Sequence, residues 1–266
     1  MTQSCTKVST LDDLRQCIAH LERYGERRKD RSNPLTFNIA AIDQHLPWGG
    51  LAPAALHEIF SVVPELTTPA LGFATAFLGL AAHRAPVLWC QSSENKRENL
   101  YAPGLERFGL FSDNLIIFNA VRECEVLWVM EEALRSGALA AVLGEVEVLT
   151  TVSSRRLQLA AERGSTIAFL VRYDLTSKII SSATTRWQIN TAISSHPLGP
   201  WPGATRWEVV LERCRGGVSG SWFLEWQDAN NIDSGSGIEA GSFRLVTPLC
   251  NGSVYPTTDA ANRFCW

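Results

Sequence analysis

Between a short apolar run and a helical pattern lies a loop positioned for phosphate chemistry. The run Leu56-His57-Glu58-Ile59-Phe60 has strand length. The loop Ser61-Val62-Val63-Pro64-Glu65-Leu66-Thr67-Thr68 follows, and Pro69 opens a helix that carries Leu71, Ala74, Phe77, Leu78 and Ala81 on one face. In a P-loop, such a strand–loop–helix cradles nucleotide phosphates. It needs glycines for close backbone approach, a lysine for the β/γ-phosphates and a Ser or Thr for magnesium. This loop has neither glycine nor lysine. Pro64 has no N–H to donate, and Glu65 sets a negative charge where phosphate would sit. The degenerate nucleotide-loop positions are therefore Ser61, Pro64, Glu65, Thr67 and Thr68, of which the two threonines supply hydroxyls at the helix start, one of them as expected N-cap. The architecture is kept and the chemistry is missing.

Two acids sit where such a loop would need them. Glu145 ends the apolar run Leu139 to Gly144, at the strand end where a magnesium-holding carboxylate belongs. Its plainer reading is a polar residue that terminates a strand. Glu94 follows the strand Val87 to Cys90, where a carboxylate would orient an attacking water; its plainer reading is a solvated loop residue. Farther on, Arg186, Arg206, Arg213 and Arg215 share a region with Trp187, Trp201, Trp207, Trp222 and Trp226. Arginines among aromatics track phosphates and stack bases, and tryptophans in strands also fill cores. Both readings stand at this level. The five histidines and seven cysteines show no metal-ligand spacing, no serine sits in a nucleophile elbow, and His57 inside a strand is a structural residue by default.

The elements that would hold these residues alternate. Strands are predicted at 56–60, 87–90, 115–119, 139–143 (running on into Gly144 and Glu145) and 166–171. Helices are predicted at 69–82, 101–108, 123–135 with Gly137 as its stop, and 153–163 with Ser153 as cap and Gly164 as stop. Continuous apolar strands separated by helices imply a parallel sheet covered on both faces. After Asp174 the pattern changes to strands at 185–190, 207–213 and 221–226, the last two forming a hairpin around Gly216-Gly217. The expected fold is α/β: a mostly parallel sheet flanked by helices, with an antiparallel C-terminal extension.

Three regions follow. Residues 1–33 form an amphipathic helix over 10 to 28, with Leu11, Leu14, Ile18 and Leu21 as its stripe, and a charged linker. Residues 34–226 form the core, and 227–266 an irregular tail rich in Gly, Ser, Asn and Asp. The net charge of −3 gives no global field toward nucleic acid, so any DNA contact is a local patch. There is no apolar run long enough for a transmembrane helix and no signal-peptide core at the N-terminus. The odd, scattered cysteines suit a reduced cytoplasmic compartment.

Ordered pieces of the chain resemble a known family. Leu100 to Gly109 and Ser136 to Glu145 resemble the short helix and the Walker B strand of the RecA-type recombinase core. Within that superfamily, LPWGGLAPAALHEI, VLWC, LYAPGLERFGL, RRLQLAAERG, TRW and LERCRGG…GSWFLEW, together spanning residues 45 to 226, resemble the ImuA family. The resemblance implies a RecA-like accessory protein of SOS-induced mutagenesis without a bound cofactor. It implies partners in ImuB, an inactive Y-family polymerase relative, and an error-prone DnaE-type polymerase, with RecA and single-stranded DNA as further candidates. Glu145 would match the Walker B acid and Glu94 the catalytic glutamate. Arg213 and Arg215 would match a basic strand facing a neighbouring subunit. The missing glycines and lysine favour a non-catalytic scaffold. A DNA-dependent ATPase with an unconventional loop and a division inhibitor like the related SulA are the alternatives.

Overall fold

The computed structural model describes residues 33–61, 67–92, 100–173, 181–194, 203–228 and 241–247. The helix expected over 10 to 28, the loop positions Pro64 and Glu65, Glu94 and Trp201 lie outside them. Within them the chain runs α1 (Ala40–Asp43), β1 (Leu56–Phe60), α2 (Thr68–Ala82), β2 (Val87–Ser92), α3 (Ala102–Glu106), β3 (Leu115–Ala120), α4 (Glu123–Ser136), β4 (Ala141–Val146), α5 (Thr151–Gly164), β5 (Ile167–Arg172), β6 (Thr185–Thr191), β7 (Arg206–Cys214), β8 (Gly220–Gln227) and β9 (Ser242–Val246).

The strands form one nine-stranded sheet in the order β3-β2-β4-β5-β1-β6-β7-β8-β9. Pairing is parallel from β3 to β6 and antiparallel from β6 to β9. The β7–β8 hairpin is as expected. β6 itself corrects the reading of a purely antiparallel extension: it runs parallel to β1, with His57 opposite Thr185, and antiparallel to β7, with Ile189 opposite Val209. β9 is a second correction, because it lies inside the stretch read as irregular. Its Arg244 stands opposite Glu225 and its Phe243 opposite Trp226.

Helices cover both faces, as the continuous apolar strands require. On one face α2 and residues 35–51 enclose a core with Phe37, Phe73, Phe77, Phe169, Trp187, Trp207, Trp226 and Phe243. On the other, α4 and α5 pack Val126, Met130, Leu134, Leu157 and Ala161 against Leu56, Val142, Ala168 and Leu170. Alternation along β4 and β5 sends successive side chains into the two cores in turn.

Helix ends show where local rules held. α4 stops at Gly137, whose φ of 64° is left-handed, as predicted. The α5 boundaries differ from the expected ones. Thr150, not Ser153, is its cap, its Oγ1 accepting from Ser153 N–H at 3.0 Å. Its left-handed end is Ser165, and Gly164 is helical. Gly164 is small for a packing reason: a Cβ there would stand 1.7 Å from the Leu134 carbonyl oxygen at the end of α4. At the start of α2, Thr67 occupies the cap position but its hydroxyl makes no capping bond.

Candidate functional site at the carboxyl edge of the sheet

In an open parallel sheet, ligands bind beyond the carboxyl ends of the strands. Here that edge brings together Ser61 after β1, the first turn of α2, and Glu145 on β4. Register places Glu145 opposite Val171, and Val171 opposite Ile59, so the acid lies two strands, about 10 Å, from β1. It faces the same side of the sheet as α2, packed beside Trp89 and Tyr173 of the aromatic core. Ser61 is buried, Thr67 half-buried and Thr68 exposed.

Glu145 is not presented to solvent. It is only 2 % exposed. Its Oε1 accepts from the Trp89 indole Nε1–H at 2.5 Å, and its Oε2 accepts from the Tyr173 hydroxyl. Trp89 comes from β2 and Tyr173 from just beyond β5, the two strands flanking β4. Both donors are themselves buried. The carboxylate therefore ties three strands together on the aromatic side. Sequence reasoning singled out the acid and missed its donors, because their registers only meet once the sheet has formed. Among the described residues, no group of three or more His, Cys, Asp or Glu is placed to hold a metal ion.

Two further buried polar devices border the same strands. On the opposite face, Arg172 Nη1 donates to Glu58 Oε1 at 2.8 Å, and both side chains are fully buried. Such a pair is costly to desolvate, and breaking it by removing one partner costs more than it ever contributed. On the α2 face, His57 is fully buried and its protonation is suppressed, to a pKa of about 4, chiefly by burial. The Trp187 Nε1–H donates to Thr185 Oγ1 at 2.8 Å. The Thr185 hydroxyl then donates to His57 Nδ1 at 2.7 Å, and His57 Nε2–H donates to the Ala52 carbonyl at 2.9 Å. The direction of that chain requires the neutral Nε2–H tautomer, which makes the histidine structural, as its strand position suggested.

The arginine–tryptophan region is resolved residue by residue. Trp207, like Trp187 and Trp226, is buried in the aromatic core. Arg206 is nearly buried and donates to Glu225, 2.6 Å away, which also accepts from Arg244. Those hydrogen bonds hold the Glu225 carboxyl low against the burial that would raise it. Arg186 lies over the Phe60 ring and pairs with Glu212 at 3.3 Å. Arg213 donates from Nη2 to the carbonyls of Ser181 and Ala183, both at 2.8 Å. The side chain of Arg215 is exposed, while its backbone N–H donates to Thr184. Arg186 and Arg213 stand opposite each other across β6–β7. Arg206 lies seven residues back along β7, about 23 Å away, so the four cations do not make one patch.

Sheet order, helix cover and the locked acid define an open α/β protein built around a loop-bearing first strand. No protein-family model matches the sequence. The chain is 33 % identical to Protein ImuA of Caulobacter vibrioides over 248 residues, in each of two strains, a match covering 86 % of this chain and 95 % of that protein. The chain belongs to the ImuA family. Over 88 residues it is 34 % identical to the cell division inhibitor SulA of Photorhabdus laumondii, covering 33 % of this chain and 50 % of that protein. The crystal structure of SulA from Pseudomonas aeruginosa aligns with 45 % of this chain and 98 % of its own, at 24 % identity and a TM-score of 0.38.

Proposed function

We propose that this protein is a non-catalytic, RecA-like accessory factor of SOS-induced translesion synthesis, working in the cytoplasm. It holds components of an error-prone polymerase, an ImuB-like protein and a DnaE-type polymerase, at damaged DNA or on RecA. Membership of the ImuA family supports the setting. The observation that carries the non-catalytic part is Glu145. A catalytic acid of this type must reach a metal-bound water, and this one is buried with its two oxygens accepting from Trp89 and Tyr173. A loop without glycine or lysine points the same way. The test joins two measurements on the purified chain: equilibrium dialysis with labelled ATP, and capture of the polymerase components from DNA-damaged cells. The reading expects no ATP binding at millimolar concentration and capture of both polymerase proteins. Hydrolysis abolished by Glu145→Gln would replace it with the ATPase reading.

The 88-residue match to SulA favours a second reading, in which the shared segment acts on the division machinery. That reading predicts filamentous cells on overproduction, and normal cell length at verified protein levels rules it out.

A further inference from the structure

The outer surface of the α4–α5 pair carries apolar side chains that no described residue covers. Trp128 on α4 is 60 % exposed, Val152 on α5 is 70 % exposed, and Leu159, one heptad on from Val152, is also exposed. Helical periodicity sets Trp128 opposite the buried Val126, Met130 and Leu134, and sets Val152 and Leu159 opposite Leu157 and Ala161. An exposed tryptophan flanked by aliphatic side chains marks an interaction site more often than a lone surface residue does.

The two helices lie side by side and parallel, since each returns the chain between parallel strands. Two contacts fix their register. Arg156 Nη2 meets Glu131 Oε2 at 2.6 Å, and Gly164 abuts the Leu134 carbonyl. Offsets of 25 and 30 residues result, so Trp128 is level with residues 153 to 158 of α5, between Val152 and Leu159. Charge is divided between the helices. With its capping residue α4 carries Glu123, Glu125, Glu131 and Glu132 against Arg122, which pairs with Glu125, and Arg135, which pairs with Glu131 and Glu132, while α5 carries Arg155, Arg156 and Arg163 against Glu162, so the excess is acidic on α4 and basic on α5.

We propose that this face docks a second copy of the chain about a two-fold axis running along the helices. That operation lays α4 of one copy over α5 of its partner, acidic helix on basic helix. Trp128 of each copy enters the gap between Val152 and Leu159 of the partner subunit. Glu125 and Glu132, paired in their own chain with Arg122 at 2.9 Å and Arg135 at 2.7 Å, lie on the side that meets the partner's basic α5. An axis across the helices would instead stack α4 on α4 and α5 on α5, like charge on like charge, so the division of charge selects the first arrangement. Two 14-residue helices offer a footprint about 21 Å long and about 20 Å wide. That is about 420 Å² per copy and about 840 Å² in all, below stable interfaces and in the range of weak, transient contacts, so the dimer is expected only at high micromolar concentration.

Sedimentation of the full chain between about 1 and about 200 µM tests this. The wild type is expected to pass from monomer to dimer in that range. Trp128→Glu, at an exposed position, is expected to stay monomeric throughout with an unchanged circular-dichroism spectrum. Glu132→Arg is expected to weaken the dimer about tenfold or more, and adding Arg163→Glu to restore part of that loss. A wild type monomeric at every concentration overturns the proposal. So does a Trp128→Glu variant that dimerises like the wild type, or a second charge reversal that restores nothing.

Discussion

Removing the carboxylate of Glu145 tests what that acid now does. In Glu145→Ala the Trp89 indole N–H and the Tyr173 hydroxyl lose their acceptor, and both belong to side chains at most 4 % exposed. A hydrogen bond to a charged group contributes about 1.5–3 kcal/mol, and an abandoned buried donor keeps its full desolvation penalty. Two such donors give a loss of roughly 3–5 kcal/mol, a large part of the 5–15 kcal/mol typical of a domain. Glu145→Gln behaves differently. Its carbonyl accepts from Trp89 while its amide donates to the Tyr173 oxygen, so both groups keep partners and the loss is about 1–2 kcal/mol. Urea unfolding at pH 7, compared at constant m-value, reads both numbers. Trp89→Phe combined with Glu145→Gln completes a cycle in which the coupling should exceed about 0.5 kcal/mol. A loss under about 1 kcal/mol in Glu145→Ala, or the same loss in Ala and Gln variants, would refute the claim that the acid is a structural tie.

Three further outcomes follow from other buried groups. His57 has its pKa held at about 4 in the fold, against 6.5 when free, so the unfolded chain binds the extra proton first. Its contribution is complete above pH 6.5 and is lost as the pH falls toward 4, by about 3 kcal/mol in all; stability curves lacking a slope in that window would contradict the buried neutral ring. Arg206→Ala leaves Glu225 buried with the half-exposed Arg244 still paired to it and is expected to cost about 3 kcal/mol, whereas Arg215→Ala, at an exposed side chain, should stay within about 0.5 kcal/mol; equal melting shifts would show that the Glu225 cluster is not closed as described. Gly164→Ala drives a Cβ against the Leu134 carbonyl and should destabilise by about 3 kcal/mol or more, and a variant as stable as the wild type would show that the ends of α4 and α5 do not meet.

Much of the framework could be read from local sequence. β1 matches its predicted span, and α4 ends at the predicted glycine, because an apolar run and a left-handed stop are local properties. The α5 ends were misread because Thr150 and Ser153 both fit a cap, and only the path of the chain out of β4 chooses between them. β9 was missed because a five-residue edge strand with one buried core residue, Phe243, has almost no periodicity of its own. It is a strand because β8 offers a free edge and Glu225 a partner for Arg244.

The residues 56–82 show the division clearly. Sequence alone determined that the loop after β1 lacks the glycines and lysine that a phosphate-binding loop requires, since that is a matter of residue type. It also set Glu145 at the end of a neighbouring strand. It did not determine whether that carboxylate was still available, because Trp89 and Tyr173 are 56 and 28 residues away from it along the chain. Only when β2, β4 and β5 pair in register do three side chains from separate strands converge in a dry core, where an unpaired carboxylate would be costly and two donors hold it in place.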